Sequence, residues 1–192
     1  MIVSSLKNDV TSQTDEQLLG QLRVGDARAF ELIYKRYRRP IYALCLRLLG
    51  NESRAEDATE ETFLKMVNGI DSLAAPGAFR PWLFQIARNE GLMMLRQRKN
   101  TTEANDDTVW TDETPLTLLT GRETTEIIQG LLSKLRAEYR EVLLLREDDL
   151  LSYAEIAAAT GLTESAVKSR IFKARKAHAA RLAPLFKERI DR

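Results

Sequence analysis

Six basic side chains and no acidic one lie between residues 168 and 181 of the 192-residue chain. Cations at this density can bind a polyanion such as nucleic acid, because each contact with a phosphate releases a condensed counterion. At helical spacing one face of this segment is mostly apolar; it consists of Val167, Ile171, Ala174 and His178. The opposite face starts with short hydroxyls and continues with cations, which suits a helix that meets base edges and phosphates in a major groove. An ordinary solvent-exposed basic helix is the alternative.

A helix-turn-helix is the element that would position this basic face. Ser152 and Glu155 have the spacing of a capping box, which predicts the start of a short helix. Gly161 can adopt the left-handed backbone that a steep turn needs, and Thr163 can cap the helix that follows. We expect Leu162 to fill the turn. An ordinary helical hairpin would show the same caps and glycine.

Helical signals dominate the rest of the chain, and strand signals are nearly absent. Capping patterns at Thr14, Asp26 and Ser53 each predict the start of a helix. Pro40 is expected to interrupt or kink the second of these helices. Residues 126–146 are predicted to form one further helix. Together these signals predict an all-α protein.

The middle of the chain has a different composition. Residues 101–121 are mostly polar and carry five acidic side chains but no basic one, which predicts a flexible acidic linker. We therefore expect two small helical domains, formed by residues 14–100 and 122–182, of which the second contains the helix-turn-helix. As a coil the linker would span roughly 25 Å, so the two domains could contact distant points of one long ligand.

Composition excludes several classes of protein. Hydrophobic residues make up 44% of the chain and charged residues 30%, as in ordinary globular proteins. One cysteine, Cys45, excludes an internal disulfide, and a single histidine argues against a Cys/His zinc site. No apolar stretch approaches about 20 residues and no signal-peptide pattern opens the chain, so we expect a cytoplasmic protein that does not insert into membranes. Phosphate loops, HExxH motifs and nucleophile elbows are missing, so we expect no enzymatic activity, no catalytic residue, no metal and no cofactor.

The basic helix-turn-helix also carries a family resemblance. Residues 135–146, 152–157 and 166–175 closely resemble the promoter-reading domain of bacterial sigma factors, most of all the extracytoplasmic-function (ECF) group of the sigma-70 family. The resemblance implies that this domain reads a minus-thirty-five promoter element. The residues it assigns to that contact are Ser165, Ala166, Lys168, Ser169, Arg170, Lys173, Arg175 and Lys176.

A second segment resembles the part of sigma factors that docks on core RNA polymerase. It comprises residues 55–57 and 60–64. At helical spacing, Asp57, Glu61, Leu64 and Asn68 share a stripe away from the side chains expected in the core, so carboxylates surround an apolar side chain. Those core-facing side chains are Phe63, Met66 and Val67. The residues predicted to contact polymerase are Asp57, Glu60, Glu61, Phe63 and Leu64. The family usually has glutamine where this chain has Glu60, and a merely solvated acidic face is the alternative.

A third segment, residues 81–89 with 95–99, resembles the part of sigma factors that opens the minus-ten promoter element. Melting requires a protein that binds unpaired bases through pockets and amide edges and holds the strand with cations. The residues predicted for this contact are Arg88, Asn89, Arg96, Arg98 and Lys99. Trp82 is expected to pack in the core. The chain departs from the family at Glu90, Gly91 and Met93.

These features favour a transcription initiation factor over two alternatives. Its partners would be core RNA polymerase, promoter DNA as duplex and as melted strand, and, by resemblance, an anti-sigma factor. A stand-alone regulator would use the same helix-turn-helix to bind palindromic DNA as a dimer, without polymerase. A helical enzyme is the third class. The acidic docking stripe and the aromatic-basic segment occur together in the first half, which favours the initiation factor.

Overall fold

The computed structural model describes residues 13–102, 130, 132, 135–146 and 151–190. Within these ranges no strand is present, and the predicted all-α class is confirmed. The α-helices are α1 (Asp15–Arg23), α2 (Ala27–Leu49), α3 (Glu52–Gly69), α4 (Phe79–Thr102), α5 (Ala137–Arg146), α6 (Tyr153–Thr160) and α7 (Glu164–Ile190). Two short 3-10 turns, Ile70–Ser72 and Pro76–Ala78, connect α3 to α4. The chain divides into two compact units with the main boundary between Leu95 and Arg96.

The first unit packs α1 to α4 around one apolar core. Its largest fully buried side chains are Leu18, Leu19, Ile33, Ile41, Leu44, Met66, Phe79, Leu83 and Phe84. Each such side chain stabilises the fold by roughly 1.5–3 kcal/mol relative to exposure. Aromatic contacts continue the core between helices, since the ring centroids of Tyr37 in α2 and Phe79 in α4 lie 5.6 Å apart. The side chains left outside this core form the surfaces that matter for function.

The helix starts largely follow the capping signals. Thr14 accepts a hydrogen bond from the Gln17 amide, and the Gln17 side chain accepts one from the Thr14 amide, so the predicted capping box is present. Asp26 caps α2 as predicted. The prediction at Ser53 is wrong, because Asn51 caps α3 through the Arg54 amide at 2.9 Å. The left-handed Gly50 ends α2, and the extended Asn51 follows it directly as the N-cap. Helix α3 therefore begins at Glu52, before Ser53.

Pro40 does not interrupt α2, which is continuous from Ala27 to Leu49. A proline inside a helix removes one hydrogen bond and costs about 3 kcal/mol or more. Tyr37, Ile41 and Leu44 are buried on both sides of it, so we attribute the continuity to core packing of the flanking turns. Of the two predicted effects of Pro40, the interruption is therefore wrong, and a kink stays a prediction.

The C-terminal part of the chain contains α5, α6 and α7, and α5 packs against α7. The predicted continuous helix over residues 126–146 is wrong in part, because the chain leaves helical geometry at Leu135 and Arg136. The Leu135 amide donates to the Leu132 carbonyl at 3.1 Å, and the Arg136 carbonyl accepts from the Tyr139 and Arg140 amides to start α5. Leu132 and Leu135 on this turn are both buried.

The predicted linker falls mostly outside the described residues. Thr101 and Thr102 belong to the last turn of α4, and residues 103–121 are not described. The domain limits 14–100 and 122–182 therefore stay predictions.

Candidate nucleic-acid and protein interfaces

The predicted helix-turn-helix is present as α6, a turn and α7. The Glu155 amide donates to Ser152 Oγ at 3.2 Å, and the Ser152 amide donates to Glu155 Oε2 at 2.7 Å, so the capping box is complete. Gly161 has a φ of 72°, in the left-handed region that glycine adopts without strain. Its amide and that of Leu162 both donate to the Ala157 carbonyl. Thr163 then caps α7 through the Ala166 amide at 3.2 Å.

The two faces of α7 are separated as the spacing predicts. Val167, Ile171 and Ala174 are buried, and His178 lies half-buried on the same face. The Nε2 atom of His178 is buried and has no hydrogen-bond partner among the described residues. This position agrees with the predicted packing role of the imidazole.

The outward face of α7 presents the candidate DNA-binding residues. Ser165, Lys168, Ser169, Lys173, Arg175 and Lys176 are exposed, whereas Ala166 and Arg170 are partly covered. Among them stands Phe172, whose side chain is 70% exposed. Phe172 lies outside the predicted site, although helical spacing places it on this face. Its exposure is the signal that marks it, since a large ring in water costs free energy unless a ligand covers it.

Tyr153 connects α6 with this basic face. The Nζ atom of Lys168 lies 5.7 Å from the centroid of the Tyr153 ring, and Cζ of Arg146 lies 5.1 Å from the same centroid. Cations at this distance are attracted to the ring face. The ring therefore helps to place the Lys168 ammonium at the side of the motif, and nothing in the sequence pattern pointed to this contact.

An acidic surface on α3 forms the candidate protein interface. Asp57 and Glu60 are exposed, Glu61 is partly exposed, and Leu64 projects from the same side with 60% of its surface accessible. Val67 was expected in the core, but 41% of it is exposed. We call Asp57, Glu60, Glu61, Leu64 and Val67 the acidic surface. It surrounds apolar side chains with carboxylates, which suits a basic partner helix.

Phe63 has to be removed from the predicted contact set. It is only 2% exposed, and its ring centroid lies 4.7 Å from that of Tyr34. A side chain buried against α2 cannot touch a partner while the helices stay packed. Phe63 therefore supports the acidic surface from beneath.

A groove lies beside Glu60, between α2 and α3. It has a volume of about 180 Å³ and is lined by Tyr34, Arg38, Tyr42, Glu56, Thr59 and Glu60. The additional carboxylate at position 60 thus stands at a polar groove, next to exposed Glu56. The groove continues the acidic surface toward α2, where Arg38 adds a cation to the lining.

An ion pair joins the back of the acidic surface to α4. The Lys65 ammonium donates a hydrogen bond to Oε1 of Glu90 at 2.6 Å and lies 3.6 Å from Oε1 of Glu61. The Glu90 side chain is only 5% exposed. The hydrogen bond to Glu90 is the main reason why the pKa of Lys65 is raised. Glu90 is one of the positions at which the chain departs from the family that it resembles. In the structure its carboxylate is paired with Lys65.

The candidate single-strand surface lies on α4. Asn89 and Arg96 are exposed, and Arg88 is partly exposed and donates to Oδ1 of Asn89 at 2.9 Å. Arg98 and Lys99 belong to the same helix, but their side chains lie outside the described residues. Met93 is 40% exposed on this helix. These residues supply an amide edge and cations of the kind that unpaired bases and their backbone require.

Trp82 takes part in packing, as predicted. Its ring centroid lies 6.2 Å from that of Phe79, and its Cζ2 atom would lie 3.2 Å from a Cβ atom at Gly69. The ring thus covers the end of α3 closely. It does not stand free as a stacking platform.

Neither a metal-binding cluster nor a membrane-spanning helix occurs in the part of the chain that the structure describes. In the described ranges no group of three or more histidine, cysteine, aspartate or glutamate side chains is placed to hold a metal ion. No helix in that part of the chain is both long and apolar enough to cross a bilayer.

Family models match both units of the chain. The model of sigma-70 region 2 matches residues 33–101, and the model of sigma-70 region 4 matches residues 125–177. The first match contains the acidic surface and the α4 surface, and the second contains the helix-turn-helix.

Named relatives match nearly the whole chain. The RNA polymerase sigma-H factor of Pseudomonas aeruginosa is 29% identical over 191 residues, covering 93% of this chain and 99% of the relative. The ECF RNA polymerase sigma-E factor of Escherichia coli K12 is 29% identical over 186 residues, covering 91% and 97%.

Two solved structures have folds similar to that of this chain, and each was solved in complex with a second protein. CnrH, solved in complex with the cytosolic domain of CnrY, has a TM-score of 0.72 and 26% identity over 88% of this chain and 97% of that one. The sigma factor RpoE of Bartonella quintana, solved with the anti-sigma factor NepR, has a TM-score of 0.66 and 24% identity over 82% and 98%. The second likeness supports the fold alone.

Proposed function

Because the chain belongs to the ECF group of the sigma-70 family, we propose that it is a sigma factor that binds core RNA polymerase and directs it to specific promoters. It assists DNA melting and has no catalytic activity of its own. The single observation that carries this proposal is the presence of regions 2 and 4 on one chain, each with an exposed surface of the required chemistry. A stand-alone DNA-binding regulator needs only the second.

Docking on polymerase is assigned to the acidic surface. Exposed carboxylates of Asp57, Glu60 and Glu61 attract a basic helix over long range and raise the rate of association. Leu64 is exposed among them and buries its apolar surface when the partner arrives. Charge sets the orientation, and the apolar side chain adds affinity at the centre.

Reading of the upstream promoter element is assigned to α7. Its N-terminal hydroxyls, at Ser165 and Ser169, can meet base edges in the major groove, while Lys173 and Lys176 reach phosphates. Phe172 is exposed on the same helix, and its ring can make an apolar contact with the methyl group of a thymine.

Opening of the downstream element is assigned to α4. A protein melts DNA without nucleotide hydrolysis when it binds the separated strand more tightly than the duplex. Asn89 offers donors and an acceptor to the edge of an unpaired base, and Arg88 and Arg96 offer charge to the strand. The assignment of Arg98 and Lys99 to the same contact rests on the resemblance.

The domain organisation and the cellular setting complete the proposal. Residues 14–100 and 122–182 would act as two domains on the linker 101–121, so that one body holds polymerase and the melted strand while the other reads the duplex upstream. The protein would work in the cytoplasm, where its partners are. CnrH was solved with a second protein, and we expect an anti-sigma factor to bind this chain as well.

In vitro transcription tests the proposal directly. Purified protein is added to core RNA polymerase on a panel of promoter templates, with core enzyme alone as the control. A sigma factor yields discrete transcripts with defined start sites. A chain that binds palindromic duplex as a dimer and leaves core enzyme without start-site selection would be a stand-alone regulator, and the proposal would be wrong.

A further inference from the structure

One ammonium group serves two carboxylates at the back of the acidic surface. Lys65 lies on α3, and its Nζ atom is 2.6 Å from Oε1 of Glu90 on α4 but 3.6 Å from Oε1 of Glu61, one turn earlier on α3. The Glu90 side chain is 5% exposed, and that of Glu61 is 43% exposed. A buried and a surface carboxylate therefore compete for the same cation.

Glu90 has the stronger hold on Lys65 in this structure. At 2.6 Å the contact is a charge-assisted hydrogen bond, whereas at 3.6 Å Glu61 has an ion pair without one. The hydrogen bond to Glu90 raises the pKa of Lys65, which means that Glu90 stabilises the charged ammonium. Because the Glu90 carboxylate is removed from water, it loses more than Glu61 would when the ammonium leaves.

The position of Glu90 is fixed by packing. The next residue, Gly91, brings the α4 backbone against α2, where a Cβ atom would lie 3.0 Å from Cδ1 of Leu48. Oε2 of Glu90 is buried and has no hydrogen-bond partner among the described residues. Among the described residues, Lys65 is thus the hydrogen-bond donor to this carboxylate, and packing of α4 keeps Glu90 at this position.

We infer that Glu90 is a positioning residue for polymerase docking: it holds the Lys65 ammonium and thereby leaves the Glu61 carboxylate available to a cation of the partner. When Glu90 loses its charge, Glu61 becomes the best partner for Lys65, since glutamate and lysine four residues apart pair on a helix surface. The acidic surface then loses the effect of one charge without any change in its own residues. This inference rests on the proposed docking of α3 on polymerase.

Two variants and a matched control test the inference. Glu90→Gln keeps the size of the side chain and removes its charge; we expect the full chain to bind core polymerase about threefold to tenfold more weakly, with a shallower salt dependence. Adding Lys65→Met to Glu90→Gln removes the released ammonium, so we expect affinity to return to the wild-type value or above. Glu31→Gln on α2 breaks another glutamate–lysine pair, with Lys35, and we expect no change.

The outcomes separate this inference from the proposed function. Wild-type protein that does not bind core enzyme would overturn the proposed function. Wild-type protein that binds, with Glu90→Gln binding equally well or with no recovery in the double variant, would overturn the role of Glu90 alone. If thermal melting shows that Glu90→Gln is unfolded, Glu90→Leu with and without Lys65→Met makes the same comparison.

Discussion

Gly91 and Leu48 are in such close contact that a Cβ atom on Gly91 would lie 3.0 Å from Cδ1 of Leu48. Leu48 is itself only 4% exposed, so its side chain has little space to move away. The glycine therefore allows α4 to approach α2 and carries Glu90 to its buried position. The two departures from the family, at positions 90 and 91, are therefore structurally linked.

Replacing Gly91 tests this contact against a second helical glycine. Gly20 in α1 has no atom within 4 Å of a built Cβ, so Gly20→Ala is expected to stabilise the fold by about 0.5–1 kcal/mol through lower backbone entropy in the unfolded chain. Gly91→Ala gains the same term but overlaps Leu48, so we expect no stabilisation or a net loss. Urea unfolding of both variants measures the difference. Equal stabilisation by both substitutions would show that the Leu48 side chain moves aside without a cost in free energy.

Reversing charge on the acidic surface should abolish docking. The variant Asp57→Lys with Glu61→Lys places cations where the partner is expected to be basic, and we expect affinity for core polymerase to fall by about 100-fold or more. Both side chains are at least partly exposed, so the helical circular dichroism spectrum should stay unchanged. Asp71→Lys, an exposed acid outside α3, is the control. Unchanged co-purification of the double variant with core enzyme would contradict the docking assignment.

Loss of two cations from α7 should change the salt dependence of promoter binding. Lys168→Ala with Arg170→Ala removes two predicted phosphate contacts, so the slope of log affinity against log salt concentration should become shallower by about 2. The measurement is binding of the reconstituted holoenzyme to duplex carrying the upstream element. Lys35→Ala, an exposed cation of α2 paired with Glu31, is the control. An unaltered slope would argue against phosphate contact at both positions.

Phe172 should affect sequence preference without affecting the salt slope. Its exposed ring carries no charge, so Phe172→Ala removes an apolar base contact and releases no counterion. We expect about tenfold weaker binding to the preferred upstream sequence and an unchanged slope. Binding to unrelated duplex should stay as it is. Equal weakening on both sequences would place Phe172 outside the base contact.

Cys45 should be unreactive in the folded protein and should make the fold sensitive to alkali. Burial raises the pKa of its thiol from 9.0 to about 12, with a further contribution from Glu90. The folded state holds the proton more tightly than the unfolded chain, so the stabilising contribution is complete below pH 9 and is lost as the pH rises toward 12. Iodoacetamide at pH 8 should label Cys45 only in urea, because the thiolate is the nucleophile.

Cys45→Ala provides the control for the alkaline range. It leaves a small cavity and lowers stability at neutral pH, but its free energy of unfolding should fall less between pH 9 and pH 11 than that of the wild type. The pKa of Tyr37 is also raised, by burial and by its hydrogen bond to Asp15. Tyr37 therefore contributes to the alkaline pH dependence of stability in both proteins. Identical slopes in the two proteins would contradict the assignment to Cys45.

The sequence by itself determined most of the local structure. The capping boxes at Thr14 and Ser152, the left-handed turn at Gly161 and the two faces of α7 all follow from hydrogen bonds and spacing within a few residues. The resemblance located all three candidate surfaces, on α3, α4 and α7, because its motifs are contiguous stretches of sequence. Local signals failed at Ser53, where a neighbouring cap decided the helix start, and core packing kept α2 continuous through Pro40.

Only the tertiary structure decided which side chains face a partner. The resemblance placed Phe63 at the polymerase contact and the helical period placed Val67 in the core, but Phe63 is buried against Tyr34 and Val67 is exposed. Glu90 and Lys65 are 25 residues apart in sequence and meet because α4 approaches closely at Gly91. Spacing along one helix fixes angles around its axis, but burial and ion pairs depend on where the other helices lie, and that is set by the packing of the whole unit.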